Sequence, residues 1–267
     1  MTIMRGGYAS QGTPVGILTA DTVTPRIIGD AGNAFSFEFP VRYGVVRELN
    51  TFDRTAPDAA VREAVVVAAK ELVEKGGCLM IAAASSCFAA YQQDIAKATG
   101  VPVLTDTLVT ASFTGIILQP DKKIAILTTD SRKLSAEDCA GFGLDAERVI
   151  VCGMEDSPAF VSAFSGTEAA YDYETVRDAI LSRVKTLCLG HPEIGAIICE
   201  NCAFSPFAPE INKLVCKPVF DPVNIINWAA SGVLRGMTSP FKSRLDGGTT
   251  AVPPSWGRRP EHLREED

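Results

Sequence analysis

The chain has 267 residues, of which 46% are hydrophobic, and a formal net charge of −7. This length predicts one or two globular domains with a sizeable core. The negative charge gives no general attraction to nucleic acid or to an anionic membrane, so neither is expected as a partner. The apolar runs are too short to span a bilayer and the first residues lack an apolar signal core, which predicts a soluble, cytoplasmic protein.

Short β-branched runs alternate with segments of helical periodicity, a pattern that predicts parallel βαβ units and an α/β fold. Strands are predicted at residues 15–19, 78–84, 123–128, 149–152 and 195–199. Helices are predicted over residues 57–75, opened by Thr55 and Pro57 and closed by Gly76 and Gly77, over residues 88–99 before Gly100, and within residues 175–189.

The chain contains an internal repeat. Residues 15–22, VGILTADT, return at residues 124–131 as IAILTTDS. Each half later has an apolar strand that runs into a cysteine, then a helix and a short Pro-Val strand. The cysteine and proline are Cys87 and Pro102 in the first half, and Cys202 and Pro218 in the second.

The repeat predicts two similar Rossmann-like, parallel-sheet lobes related by a pseudo-twofold axis, with the active site in the cleft between them. Lobe one is expected to comprise residues 10–110 and the helix at 223–236. Lobe two is expected to comprise residues 111–222. Residues 237–267 are rich in Pro, Gly, Arg and Glu, which is typical of a disordered or extended tail.

Cys87 and Cys202 occupy the functionally important positions of such lobes. Ligands of open parallel sheets bind at the carboxyl ends of the strands, beside the N-termini of the following helices. The positive end of a helix stabilises a thiolate, so we expect the pKa of both thiols to lie below the usual value of about 8.5. Across one cleft, one cysteine would remove a proton from a carbon centre and the other would deliver one to its opposite face.

The alternative for any free cysteine is an inert position in the core. This interpretation applies to six of the eight cysteines, whereas the strand-end position, the polar neighbours and the repeat favour chemistry at Cys87 and Cys202. The six are Cys78, Cys139, Cys152, Cys188, Cys199 and Cys216.

Cys199 and Cys202 also have the CxxC spacing of zinc and dithiol sites. A structural zinc site needs two further ligands, and the sequence has no second CxxC and only His191 and His262 as histidines. The scarcity of histidine also argues against a Ser-His or Cys-His hydrolase. No glycine-rich phosphate-binding motif follows the first strand, so we expect neither a metal nor a cofactor.

Polar residues at the same strand ends are candidates for substrate binding. Asp21 is placed to hold a substrate ammonium group or to orient a thiol, and Arg26 is suited to a bidentate contact with a carboxylate. Hydroxyl or amide donors for a carboxylate are Thr22, Ser85, Ser86, Thr128, Thr129 and Asn201. The alternatives are a strand-to-helix cap for Asp21, turn positions for the donors and a solvated loop position for Arg26.

Three features carry a resemblance to a known family: the SSCF segment at residues 85–88, the ENC segment at residues 200–202 with Pro206 four residues on, and the paired lobes. In these features the chain resembles the aspartate/glutamate racemase superfamily, which includes hydantoin racemases, maleate isomerases and arylmalonate decarboxylases. The resemblance implies two α/β domains around the active site, a dimer, and two thiols that work without a cofactor. Phe88 and Ala203 follow the cysteines where amino-acid racemases commonly have a small or hydroxyl residue, so the resemblance does not extend to acidic amino acid specificity.

The sequence therefore predicts a racemase or epimerase of an α-substituted carboxylate, with Cys87 and Cys202 as the two bases and lobes that close to exclude water. The alternatives are a maleate-type cis–trans isomerase, an arylmalonate-type decarboxylase and a non-catalytic protein that binds small acids. The expected partners are a small-molecule carboxylate and further copies of the chain, as a homodimer or higher homo-oligomer.

Overall fold

The computed structural model describes residues 12–49 and 59–234, which form two parallel four-stranded sheets flanked by helices. Sheet one has the order β2-β1-β3-β4, and sheet two has the order β6-β5-β7-β8. The equivalent strands thus follow the same order in both halves, and the predicted α/β fold is confirmed. The strands are β1 (Val15–Ala20), β2 (Val41–Val46), β3 (Met80–Ala83), β4 (Val103–Leu104), β5 (Lys123–Thr128), β6 (Val149–Gly153), β7 (Ile194–Cys199) and β8 (Val219–Phe220).

The helices flank these sheets on both faces. They are α1 (Ala59–Glu74), α2 (Gln92–Thr99), α3 (Ala111–Ile117), α4 (Pro158–Phe164), α5 (Tyr173–Gly190), α6 (Ala208–Val215) and α7 (Pro222–Val233). The helix predicted over residues 88–99 begins instead as the 3-10 helix Ser86–Tyr91 and becomes α-helical at Gln92. It ends at Gly100, whose φ of 68° is the left-handed cap conformation that glycine favours. Thr55, Pro57 and the predicted tail lie outside the described residues.

Each sheet is buried on both faces, as is usual for parallel sheets. One face of sheet one packs against α1 and α2, and its other face packs against Ile226 and Ala230 of α7. One face of sheet two packs against α4, α5 and α6, and its other face packs against Leu108 and Ala111 near the start of α3.

Helices α3 and α7 cross between the lobes. Helix α3 follows sheet one but packs on sheet two, whereas α7 follows sheet two but packs on sheet one. Equivalent aspartates begin the two crossings: Asp106 accepts a hydrogen bond from the backbone N–H of Leu108, and Asp221 accepts one from Val223, each at 2.9 Å. The exchanged helices hold the carboxyl ends of the two sheets close together.

None of the helices in the described ranges is both long and apolar enough to cross a membrane.

Candidate active site

Cys202 lies where the two lobes meet. It follows β7 at the start of the 3-10 helix Cys202–Phe207, whose N-cap Asn201 accepts a hydrogen bond from the backbone N–H of Ala203 at 3.0 Å. The Cys202 sulfur donates a hydrogen bond to the carbonyl oxygen of Ala84, just beyond β3 in lobe one. The side chain packs among apolar residues of lobe one and is 2% exposed. Cys202, which belongs to lobe two, thus packs into a hydrophobic cluster of lobe one.

The β1–β2 loop (residues 21–40) brings a partly buried ion pair to this sulfur. Nη1 of Arg26 lies 3.6 Å from the sulfur of Cys202, and 3.4 and 3.3 Å from the two carboxylate oxygens of Asp30. Nη2 of Arg26 donates to the hydroxyl of Thr22 at 3.1 Å. The backbone N–H of Gly32 donates to Asp30 at 2.6 Å. One guanidinium group therefore contacts a carboxylate, a hydroxyl and a thiol.

Gly29 fixes the position of this loop against lobe two. Its φ of +101° is unfavourable for any residue with a side chain, and a Cβ atom at this position would lie 2.7 Å from the Cα atom of Pro206. The side-chain amide of Asn33 donates to the carbonyl oxygen of Arg26 at 2.7 Å. The loop can therefore reach the helix that begins at Cys202 only because residue 29 is glycine.

Cys87 occupies the equivalent position in lobe one but has different surroundings. It follows β3 within the 3-10 helix Ser86–Tyr91, and its sulfur donates to the hydroxyl of Ser85 at 3.1 Å. It is 1% exposed and belongs to the core cluster that contains Leu18 and Phe88. Cys87 therefore packs within lobe one and contacts the lobe interface through Ser85, and the predicted placement of both thiols across one cleft stays a prediction.

Two small cavities lie at the contact between the lobes and share Ser85 in their walls. The larger, of about 30 Å³, has room for about two water molecules. It is lined by Thr22, Thr24, Arg26, Ser85, Thr129, Phe164, Gly166, Asn201, Cys202 and Ala203. The smaller, of about 10 Å³, is lined mainly by Ser85, Ser86, Thr105, Asp106, Thr107 and Glu200 together with apolar residues such as Ile226.

The structure brings most of the predicted site residues to these two cavities. The side-chain amide of Asn201 also donates to the hydroxyl of Ser86 at 3.3 Å, which links the two strand ends directly. Three predicted residues line neither cavity: Cys87, described above, Asp21 and Thr128. Asp21 is exposed and pairs with Arg47 at 3.6 Å, and the buried hydroxyl of Thr128 donates to Glu200 at 3.1 Å instead of facing a cavity.

Sequence reasoning did not single out Asp30 and Glu200 as site residues. Asp30 follows Arg26 by four residues, a spacing that suits an ion pair within a tight loop. Glu200 lies two residues before Cys202, at the end of β7, and is 1% exposed. Both are charged residues close in sequence to the candidate residues Arg26 and Cys202, and this proximity could have indicated them as site residues.

No protein-family model matches the chain. The dimethylsulfoniopropionate lyase of Durusdinium sp. clade D is 26% identical over 219 residues, which are 78% of this chain and 71% of that protein. Unliganded arylmalonate decarboxylase aligns with a TM-score of 0.55 and 18% identity over 84% of this chain and 93% of its own. Allantoin racemase from Pseudomonas fluorescens aligns with a TM-score of 0.54 and 14% identity over 83% and 91% of the two chains.

Glutamate racemase from Bacillus anthracis has the same TM-score of 0.54, with 12% identity over 85% of this chain and 83% of its own. The chain has the aspartate/glutamate racemase fold. The resemblance seen in the sequence is therefore confirmed at the level of the fold. The two-cysteine mechanism, the dimer and the cytoplasmic location stay predictions.

Burial has the largest effect on the pKa of both thiols. Burial raises the pKa of Cys87 to about 12, although the hydrogen bond to Ser85 acts in the opposite direction. Burial also raises the pKa of Cys202, the negative charge of Asp30 raises it further, and Arg26 lowers it. The expectation of thiol pKa values below the usual range is therefore wrong for this structure. Burial removes the water that stabilises a thiolate, and this effect is larger than the stabilisation that the N-terminus of a short helix gives.

Proposed function

We propose that the protein is a cofactor-independent enzyme that removes the proton from the carbon next to a carboxylate and, as a racemase or epimerase, returns a proton to the opposite face. The observation that carries this proposal is the interlobe cavity in which the Cys202 thiol lies beside hydrogen-bond donors and a guanidinium. Cys87 occupies the equivalent strand end of the other lobe, behind Ser85.

The cavity wall suits a small carboxylate. Hydroxyl groups of Thr22, Ser85 and Thr129 and the amide of Asn201 offer donors within one small space. Phe164 and Ala203 supply an apolar part of the wall, which fits a carbon substituent on the substrate. Closure of the lobes over the substrate would exclude water and strengthen each of these contacts.

The proposed reaction balances with one thiolate and one thiol. A thiolate takes the proton from Cα, and the electron pair of the C–H bond moves toward the carboxylate, where hydrogen-bond donors stabilise the enediolate that forms. The opposite thiol then gives its proton to Cα, so the centre is inverted and the two sulfurs exchange protonation states. Burial raises the pKa of both thiols and so disfavours the thiolate, whereas the positive charge of Arg26 lowers the pKa of Cys202 and favours the base form there.

A β-elimination is the second candidate, favoured by the match to dimethylsulfoniopropionate lyase. The first step is the same removal of the Cα proton. The bond from Cβ to the leaving group then breaks, its electron pair leaves with that group, and a double bond forms between Cα and Cβ. This reaction needs one base, which agrees with a cavity that Cys202 lines and that Cys87 approaches only through Ser85.

Proton NMR in deuterated water tests both candidates on the full chain. The panel comprises single enantiomers of amino acids and hydantoins, together with arylmalonates, maleate and dimethylsulfoniopropionate. Deuterium at Cα with inversion supports the racemase, and an alkene with a released sulfide supports the lyase. Loss of carbon dioxide or conversion of maleate to fumarate would show another activity, and no change with any acid would contradict the proposal. The Cys202→Ser variant is the control for contaminating enzymes.

A further inference from the structure

The guanidinium of Arg26 contacts two buried acidic groups, the carboxylate of Asp30 and the thiol of Cys202. Nη1 carries two N–H bonds, and it lies within reach of the Asp30 carboxylate on one side and of the Cys202 sulfur on the other. Nη2 is held by Thr22. A substrate carboxylate that binds Arg26 would have to compete with these existing contacts, so contact with the sulfur is the better supported role for this cation.

Stability alone is a weak reason for such a pair. Removing charged groups from water has a free-energy cost, and apolar replacements of buried ion pairs are often as stable or more stable. The side chain of Asp30 is 3% exposed and that of Arg26 is 24% exposed, so this cost falls mainly on the carboxylate. The loop also depends on the close approach of Gly29 to Pro206, which places the pair against the helix of Cys202.

We infer that Arg26 is the counter-ion of a Cys202 thiolate, and that Asp30 is a positioning residue that holds the guanidinium against the sulfur and limits how strongly its charge acts there. Arg26 would then be a catalytic residue, because it contacts a reacting atom. The catalytic part of this inference rests on the proposed function, whereas the pairing of charges does not.

The two charges act on the sulfur with opposite signs. Arg26 favours the thiolate, and the negative charge of Asp30 disfavours it. From the other lobe, negative charge on Cys87 also raises the pKa of Cys202.

Further titratable groups face the pair or the second thiol. Tyr43 on β2 and Tyr171 before α5 face the Arg26–Asp30 pair, and Glu200 faces Cys87. Burial raises the pKa of both tyrosines, which keeps them neutral throughout the range of the test below.

Alkylation of Cys202 by iodoacetamide in the full chain, followed by peptide mass spectrometry, measures its thiolate without any substrate. Arg26→Gln removes the positive charge and should slow alkylation at about pH 8. Asp30→Asn removes the negative charge but keeps an acceptor for Gly32 and Arg26, and it should accelerate alkylation. One pKa unit changes the thiolate fraction about tenfold and the alkylation rate about threefold, since a less basic thiolate is also less nucleophilic. Arg26→Lys keeps the charge and should stay near wild type.

The opposite signs separate this inference from a purely structural role, which would change both variants in the same direction. The matched control is the exposed pair of Arg62 and Asp94, at 3.0 Å in lobe one, where Arg62→Gln and Asp94→Asn should leave the Cys202 rate unchanged. Shifts of equal sign, or no shift in either variant, would overturn the inference. If Arg26→Gln does not fold, the comparison is between the other two variants, and an Asp30→Asn rate at or below wild type would overturn it.

The outcome is independent of the activity screen. Exchange at Cα without opposite alkylation shifts would refute the inference and leave the proposed function intact. Opposite shifts in a protein that exchanges no acid would refute the proposed function and leave the charge pairing at Cys202 established.

Discussion

Cys87 and Cys202 occupy equivalent backbone positions in lobes of the same strand order, yet their surroundings differ. Cys202 lines the larger cavity, contacts Arg26 and donates to a backbone carbonyl of the other lobe. Cys87 is enclosed by its own lobe and donates to the hydroxyl of Ser85. The repeated backbone therefore places both thiols just beyond equivalent strand ends without giving them the same chemical environment.

The difference comes from the loops that follow the first strand of each lobe. The β1–β2 loop extends to lobe two and carries Arg26 and Asp30 to Cys202. The equivalent segment after β5 stays on its own lobe, where Leu134 and Leu144 join the cluster around α3. A duplicated sheet can thus acquire two distinct sites through one loop that crosses and one that does not.

Serine substitutions test the comparison most severely. Cys202→Ser should lower Cα proton exchange by about a thousandfold, because an alcohol is a far weaker base than a thiolate and acid–base catalysis commonly contributes about a hundredfold to ten-thousandfold. Cys87→Ser should abolish inversion but keep exchange on the face served by Cys202. Chiral chromatography and NMR in deuterated water measure the two quantities separately. Full turnover in both variants would show that both cysteines have only a structural role.

Gly29→Ala tests whether the crossing loop depends on its close approach to lobe two. We expect a loss of about 3 kcal/mol in the free energy of unfolding, from the positive φ and from the overlap with Pro206. Gly100→Ala is the matched control: Gly100 also has a positive φ, but a Cβ there meets no atom within 4 Å, so the expected loss is about 1 kcal/mol. Urea denaturation measures both, and equal losses would show that the contact with Pro206 is unimportant.

Ser85→Ala tests the contact that distinguishes Cys87. Ser85 accepts from the neutral Cys87 thiol, but once the thiol ionises the Ser85 hydroxyl donates to the thiolate and thereby lowers the thiol pKa. Loss of this contact should raise the pH midpoint of Cys87 alkylation by about half to one unit. Ser86→Ala is the control, because the hydroxyl of Ser86 accepts from Asn201 instead. A midpoint that moves equally in both variants would indicate a general loosening of the strand end.

The pH dependence of stability gives the smallest expected effect. The Cys87 thiol has a pKa of about 12 in the folded protein, whereas in the unfolded chain it ionises near about 8.5. Above that pH the unfolded state has released a proton that the folded state still holds, so stability falls as pH rises toward 12. Between about pH 8 and 9 this thiol should account for a loss of about 0.7 kcal/mol.

Denaturation curves of wild type and Cys87→Ser at the two pH values measure this contribution. Cys216→Ser, which alters an exposed cysteine, should leave the slope as in wild type. A wild-type slope in Cys87→Ser would mean that the Cys87 thiol is more accessible to water than the structure shows.

Much of the fold could be predicted from local pattern. The predicted strands at residues 123–128, 149–152 and 195–199 agree with β5, β6 and β7 to within one residue at either end. Strand β2 was not predicted, because it is only partly buried and contains Gly44 and Arg42, which weaken the apolar pattern. The 3-10 start of the helix after Ser85 was also missed, because its side-chain periodicity is close to that of an α-helix.

The sequence by itself determined the strand–helix alternation, the duplicated lobes and the strand-end position of both cysteines, because these depend on side-chain periodicity and spacing along the chain. Tertiary structure alone decided which groups meet at Cys202 and in which direction the pKa of its thiol is shifted. Arg26 and Cys202 are 176 residues apart in the chain, and their contact depends on a loop that packs across the lobes. Burial, which reverses the expected pKa shift of both thiols, is likewise a property of the packed lobes and not of the neighbouring residues in sequence.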